Sequence, residues 1–314
     1  MTLALVSNWR DEFVLARDAR NIHSPRDLAR MVRSGDLVRI ARGVYRRRAA
    51  MPDVIDDDDR YLALLRATQL VADGPLVLSH LSAARLWGLP VPSRWPESVH
   101  AIQPPEAGGR FGSLVVRHGV PLPTPPVHRD GLWCTDLART VVDVLRVSPP
   151  HVGIVVADAA MRGDADIGRD PLDRDEAERI LRAVTGGRGT RRAANVLAAA
   201  DGRAESPGES LSRWAIKAAG LPTPELQKVF SDSRGQMIVD FWWPQFNLIG
   251  EFDGAIKYQK DDLLKGRTAS EAVIAEKNRE DRLRALGPRV ARWDWSTTNT
   301  PGALVALLRS FGVH

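Results

Sequence analysis

The stretch Met237–Lys257, MIVDFWWPQFNLIGEFDGAIK, constrains the fold more than any other part of the chain. Two apolar runs, Met237–Trp243 and Leu248–Phe252, flank Pro244-Gln245-Phe246-Asn247, the pattern of a β-hairpin with a four-residue loop. With Trp243 and Leu248 as the last pair before the turn, antiparallel register sets Asp240 opposite Glu251. Alternation along the strands then gives one apolar face of Met237, Val239, Phe241, Trp243, Leu248 and Phe252. Asp240, Glu251 and Asp253 gather on the other face, beside Ile238, Trp242 and Ile249. Opposed residues have Cβ atoms about 4.5–5.5 Å apart, where like charges destabilise a sheet. Three carboxylates on a half-apolar face call for a cation. An all-oxygen set suits Mg2+, with Mn2+ as a substitute, because magnesium keeps several waters and accepts phosphate oxygens as further ligands.

Around this hairpin, Ser206-Pro207-Gly208-Glu209 opens a helix with Ser206 as N-cap and Pro207 in the first turn. Leu211, Trp214, Ala215 and Ala218 are its expected buried face, and Glu209 completes a capping box. Ser270–Leu286 reads as a long helix carrying Lys277, Arg279, Arg282 and Arg284, with Glu276, Glu280 and Asp281 at pairing distance along it. A strand follows at Arg289–Trp295. In this order, with Val239-Asp240-Phe241, Glu251-Phe252-Asp253-Gly254 and Lys257-Tyr258, the chain from about Ser206 onward resembles the PD-(D/E)xK nucleases of the very-short-patch-repair (Vsr) type.

That resemblance implies a restriction-endonuclease-like mixed sheet flanked by helices and a catalytic set of Glu209, Asp240, Glu251 and Lys257. The metal would sit on Asp240, Glu251 and Asp253, and Lys277 and Arg279 would approach DNA. The motif's lysine position holds Asp253 here, which makes Lys257 the nearest migrated lysine. In such a site magnesium acidifies a bound water and offsets charge on the scissile phosphate, while the lysine orients that water or steadies the transition state.

At the other end, charge is concentrated. Arg10 to Arg48 holds eleven arginines and no lysine against five acids, a larger excess than the +5 of the whole chain. A basic segment of this kind is the footprint of a phosphate-backbone binder. Leu3–Phe13 and Arg17–Asn21 read as helices, and Ser24-Pro25 opens a third with Leu28, Met31 and Val32 as its buried stripe and Gly35 as its stop. Arg26, Arg30 and Arg33 project from its far side. Asp36–Arg46 alternates apolar and basic residues through a glycine turn, a hairpin wing that adds Arg39, Arg42, Arg46 and Arg47. The result is a winged helix-turn-helix, with the helix for the major groove and the wing for phosphates. Leu37-Val38-Arg39 and Arg42-Gly43-Val44-Tyr45 resemble the N-terminal domain of AbiEi-type antitoxins of type IV toxin–antitoxin systems. The resemblance implies promoter DNA as a ligand and a toxin as partner.

Between the two ends, Tyr61–Val71 and Val77–Leu89 carry helical signals, Ser98–Gln103 and Ser113–His118 read as strands, and Asp136–Asp143 starts a helix. Ser79-His80, Ser82-Ala83-Ala84, Ala138-Arg139-Thr140 and Asp143 extend the AbiEi-like resemblance to about Gly163. His80, His118 and Asp143 show no metal or triad spacing and are read as structural. Helices at Val152–Met161, Arg174–Val184 and Thr190–Ala200 complete the region. The expected fold class is α/β (α+β, multidomain), divided into a winged helix at 1–50, an AbiEi-like α/β middle at 60–200 and a nuclease-like domain at 201–314.

The single cysteine, Cys134, excludes an intramolecular disulfide and a cysteine-rich zinc site. No apolar run has membrane-spanning length and Met1–Trp9 lacks a secretory pattern, so the expected location is cytoplasmic. Two functions stand: a magnesium-dependent DNA endonuclease targeted by the winged helix, or a non-catalytic regulator or antitoxin that uses a degenerate nuclease fold for binding. The partner in both is double-stranded DNA.

Overall fold

The computed structural model describes residues 8–19, 25–103, 114–184, 188–254 and 269–314. They form an α/β chain in two compact units, Met1–Val147 and Ser148–His314.

The first unit starts with a three-stranded sheet in the order β1-β3-β2, made of β1 (Phe13–Leu15), β2 (Leu37–Ala41) and β3 (Val44–Arg47). The helix expected over Leu3–Phe13 lies partly outside the described residues; Phe13, its expected last residue, instead begins a strand that pairs antiparallel with Val44–Arg46, and Trp9–Glu12 before it makes a 3-10 turn. An aromatic, a β-branched and a leucine residue in a row suit a pleated surface better than a helix end. Helices α1 (Ala16–Ala19) and α2 (Pro25–Arg33) connect β1 to β2. Leu28 packs on Leu37 with Met31 and Tyr45 beside them, whereas Val32 is 37% exposed and leaves the expected stripe. A second small core joins Phe13 and Val44 to Ala63 and Ala67 of α3 (Asp57–Val71). The winged helix therefore borrows core from beyond residue 50.

The acidic run before α3 is a helix start: Asp56 accepts a hydrogen bond from the Asp59 amide at 2.8 Å, with Asp57 and Asp58 at the positive end of the helix dipole. A five-stranded sheet follows in the order β6-β5-β4-β8-β7. Its strands are β4 (Val77–Leu78), β5 (Val99–Gln103), β6 (Val115–Gly119), β7 (Val127–Arg129) and β8 (Leu132–Cys134). Helices α4 (His80–Leu86) and α5 (Leu137–Val147) complete the unit. Within α5, Arg139 and Asp143 form a buried ion pair at 2.9 Å, the structural role expected of Asp143.

The second unit holds α6 (Pro150–Arg162), α7 (Arg174–Ala183), α8 (Thr190–Ala199) and α9 (Pro207–Ala218). The compact units divide earlier than residue 201, where the sequence reading starts the nuclease-like domain. The reason is polar as well as apolar: Asp158 of α6 pairs with Arg213 of α9 at 2.6 Å and accepts the Asp201 amide at 2.7 Å. The α9 face shifts accordingly. Ile216 is buried against the sheet and Ala218 is exposed, because Arg213 is turned toward α6.

The sheet of this unit runs β12-β11-β10-β9. It comprises β9 (Glu225–Asp232), β10 (Gly235–Trp243), β11 (Leu248–Asp253) and, after α10 (Ala269–Ala285), β12 (Arg289–Asp294). β9, β10 and β11 are antiparallel and β12 joins β11 in parallel, which gives a mixed sheet flanked by helices. The hairpin register is the expected one, with Trp243 opposite Leu248. The face assignment is corrected in part. Phe241, Trp243, Leu248 and Phe252 pack with Ile216, Trp293 and Leu304 of α12 (Ala303–Ser310). Met237 and Val239 pack instead with Ile249, Trp242 and Leu283 of α10. The alternation breaks at Asp240 and its neighbour Gln227, which has a left-handed backbone (φ 52°).

Among the described residues, no helix is long and apolar enough to cross a membrane.

Candidate functional site

The basic surface of the first unit is built from α2 and the β2–β3 wing. At about 100° per residue, Arg26, Arg30 and Arg33 fall on the side of α2 opposite Leu28 and Met31. All three are exposed, and Arg30 makes a short-range pair with Asp27 at 2.9 Å. On the wing, Arg39, Arg42 and Arg47 are exposed. Gly43, with φ 74°, makes the tight turn between the strands.

Arg46 is different and corrects the expected DNA-contacting set. It shares a strand face with Val44 and is 9% exposed. Its guanidinium donates to Glu12 Oε2 from Nε (3.0 Å) and Nη2 (2.7 Å), donates to the Ala50 carbonyl at 3.0 Å and lies over the Phe13 ring. A side chain so committed braces the wing against the Trp9–Glu12 turn. The sequence carries the signal: Arg46 stands two residues from Val44 and so shares its face.

In the second unit the carboxylates sit on adjacent elements, and Glu209, Asp240 and Glu251 are bound to protein donors. Glu209 is 7% exposed: Oε1 accepts the Ser206 hydroxyl at 2.7 Å, and Oε2 accepts the Glu205 amide at 2.9 Å and Gln227 Nε2 at 3.0 Å. This is the capping box expected from sequence, extended to the sheet. Asp240 Oδ2 accepts the Phe252 amide at 2.8 Å, just past the last ladder pair of β10 and β11, Phe241 with Gly250. Glu251, 6% exposed, is held between Arg279 of α10 at 2.7 Å and Arg292 of β12 at 2.8 Å. Arg279 also donates to the Ile238 carbonyl at 2.5 Å, so it ties α10 to the sheet. Asp253 ends β11, in register with Asp294 of β12, and Lys277 is exposed on α10. Lys257 lies outside the described residues.

Magnesium is the ion that the nuclease resemblance implies, and this donor arrangement does not fit it. Both oxygens of Glu251 face arginines, and an oxygen of Asp240 faces a backbone amide. Among the described residues, the side chains that bring three ligand atoms within 4.8 Å of one another are His80, His100 and His118, in the first unit. Sequence reading names His80 and His118 but misses His100, which only the pairing of β5 with β6 brings to them.

Residues 9–48 match the family model described as "Transcriptional regulator, AbiEi antitoxin". Over 257 residues the chain is 30% identical to two proteins of Mycobacterium tuberculosis, "Uncharacterized protein Rv2248" and "Uncharacterized protein MT2308". The match spans 82% of this chain and 84% of each of them. Among solved structures, the RV2827C protein of Mycobacterium tuberculosis aligns with a TM-score of 0.37 and 17% identity, over 70% of this chain and 83% of that one. The chain thus belongs to the family of the mycobacterial proteins Rv2248 and MT2308, and it carries an AbiEi-antitoxin-type regulator domain at its N-terminus.

Proposed function

We propose that this protein is a DNA-binding transcriptional regulator of the antitoxin type, whose α2 and wing dock on double-stranded DNA. The observation that carries the reading is the row of exposed arginines, Arg26, Arg30 and Arg33, on the outer side of α2 within the segment that matches the AbiEi family model. α2 enters the major groove, and Arg39, Arg42 and Arg47 meet flanking phosphates. A toxin is the protein partner that the family description implies. The test is duplex binding by the folded variant Arg26→Gln/Arg30→Gln/Arg33→Gln, followed by fluorescence anisotropy across a salt series. Loss of affinity with a shallower salt slope supports the reading, and unchanged binding refutes it.

A second reading, a metal-dependent DNA endonuclease, is favoured by the order helix, three strands, helix, strand and by the neighbouring acids Asp240 and Glu251 on the central strands. In it Asp240, Glu251 and Asp253 hold Mg2+ or Mn2+, Glu209 and Lys257 assist, and Lys277 and Arg279 lie along the DNA. It requires Arg279 and Arg292 to release Glu251. Manganese-dependent nicking of plasmid by the wild type, lost in Asp240→Asn, would support it.

A further inference from the structure

We propose that His80, His100 and His118 form a binding site for a divalent transition-metal ion of the zinc class, with a fourth coordination position left to water or an exogenous ligand. The site is assembled from three elements of the first unit. β5 and β6 run parallel with Ile102 opposite His118 and His100 opposite Val116, so the two histidines are diagonal neighbours on one face of the sheet. Their facing nitrogens, His100 Nδ1 and His118 Nε2, are 3.0 Å apart. Around a tetrahedral ion with bonds of about 2.0–2.1 Å, neighbouring nitrogens stand about 3.3 Å apart. The strand pair therefore presents two ligands at nearly the required spacing.

His80 supplies the third from the first residue of α4. It is 4% exposed, and its ring lies over that of His118 at 3.7 Å between centroids. Its backbone is left-handed, φ 52°, a conformation that a side chain with a Cβ adopts at a cost and that clusters at functional sites. Polar neighbours fix the group. His80 Nδ1 is 2.9 Å from Ser79 Oγ, an arrangement that leaves Nε2 to face an ion. The His100 amide donates to Ser82 Oγ at 2.8 Å, and that hydroxyl also bonds Tyr61 at 2.7 Å. Drawing all three nitrogens onto one ion turns the His80 ring from face-on to edge-on against His118.

The chemistry agrees with the geometry. Burial holds all three imidazoles below their ordinary pKa, His100 at about 4, so at neutral pH each offers a lone pair. Arg139 and Arg146 add positive potential at His80, and Asp143 balances the first of them. Imidazole-only ligation selects zinc, cobalt, nickel or copper over magnesium or calcium. Three neutral ligands leave the ion its full charge, so water in the fourth position is acidified.

The test uses the full chain without a histidine tag, stripped with chelator and reloaded with Zn2+ or with Co2+ as a spectroscopic probe. Wild type should take up one ion per chain and show ligand-field bands with cobalt. His100→Gln and His118→Gln should bind more than about tenfold more weakly, while His128→Gln should bind like wild type. His118→Cys keeps a ligand and should add a thiolate-to-cobalt charge-transfer band, which reports ligation even if a glutamine variant fails to fold. The proposal is overturned if wild type takes up no zinc, if folded glutamine variants bind unchanged, or if the His118→Cys complex lacks the thiolate band.

Discussion

Glu12 Oε2 and Arg46 Nη2 stand 2.7 Å apart in a mostly buried pair that joins the Trp9–Glu12 turn to the wing. This pairing separates one arginine from the basic surface around it. Arg46→Ala should therefore destabilise the first unit by about 2–3 kcal/mol, since it strips a charged acceptor of its donor. Arg42→Ala, at an exposed position on the wing turn, should change stability by less than about 0.5 kcal/mol. Urea denaturation of the two variants checks this, and equal effects would count against a bracing role.

Asp240 lends itself to a graded pair of substitutions. Asp240→Asn keeps an acceptor for the Phe252 amide, and the neighbouring Glu251 is already offset by Arg279 and Arg292. Stability should then stay within about 1 kcal/mol of wild type, whereas Asp240→Ala orphans the amide and should cost about 1–3 kcal/mol. Melting curves with and without Mn2+ distinguish the two functional readings. With Glu251 clamped by arginines, manganese should not raise the Tm, and a rise abolished by Asp240→Asn would favour the endonuclease.

Gly208 is a place where helix propensity and packing disagree in sign. Alanine normally stabilises a helix by about 1 kcal/mol over glycine. A Cβ at Gly208 would lie 2.0 Å from the Phe252 ring, so Gly208→Ala should instead destabilise by about 1–3 kcal/mol. Thermal unfolding gives the sign directly.

Asp158 provides the pH dependence. Burial pushes its carboxyl up to about 6 despite Arg213. A folded pKa above the unfolded value of 3.8 means stability from this group is fully present below pH 3.8 and is lost as pH rises through 6. Asp158→Asn should not follow this course. The stability of wild type relative to the variant should fall between about pH 4 and 6, by on the order of 2 kcal/mol. A difference that is flat across that window would contradict it.

The parts of the fold that are legible in the sequence are those where local pattern and tertiary pairing coincide. Trp243 and Leu248 flank a loop too short to allow another register, and Ser206 with Glu209 makes a cap whose chemistry is local. Phe13–Leu15 escapes such a reading because its partner, β3, lies some thirty residues away and no local cue announces the pairing. Met237 and Val239 depart from the expected face because strict alternation takes no account of the left-handed Gln227 on the neighbouring strand. Glu251 is legible as a buried acid, but its clamp is not. Arg279 and Arg292 reach it from a helix and a parallel strand whose positions only the whole sheet sets.

The central claim is that α2 and the wing bind DNA through Arg26, Arg30 and Arg33, and the salt dependence of duplex affinity tests it most directly. Point variants are preferable to deletion of residues 1–50, because Phe13 and Val44 share a core with Ala63 and Ala67. Every arginine–phosphate pair removed by substitution lowers the slope of log K against log salt by about 0.9. The folded triple glutamine variant should bind at least about a hundredfold more weakly at moderate salt, with a slope reduced by about 2 to 3. The same affinity and slope as wild type would contradict the account.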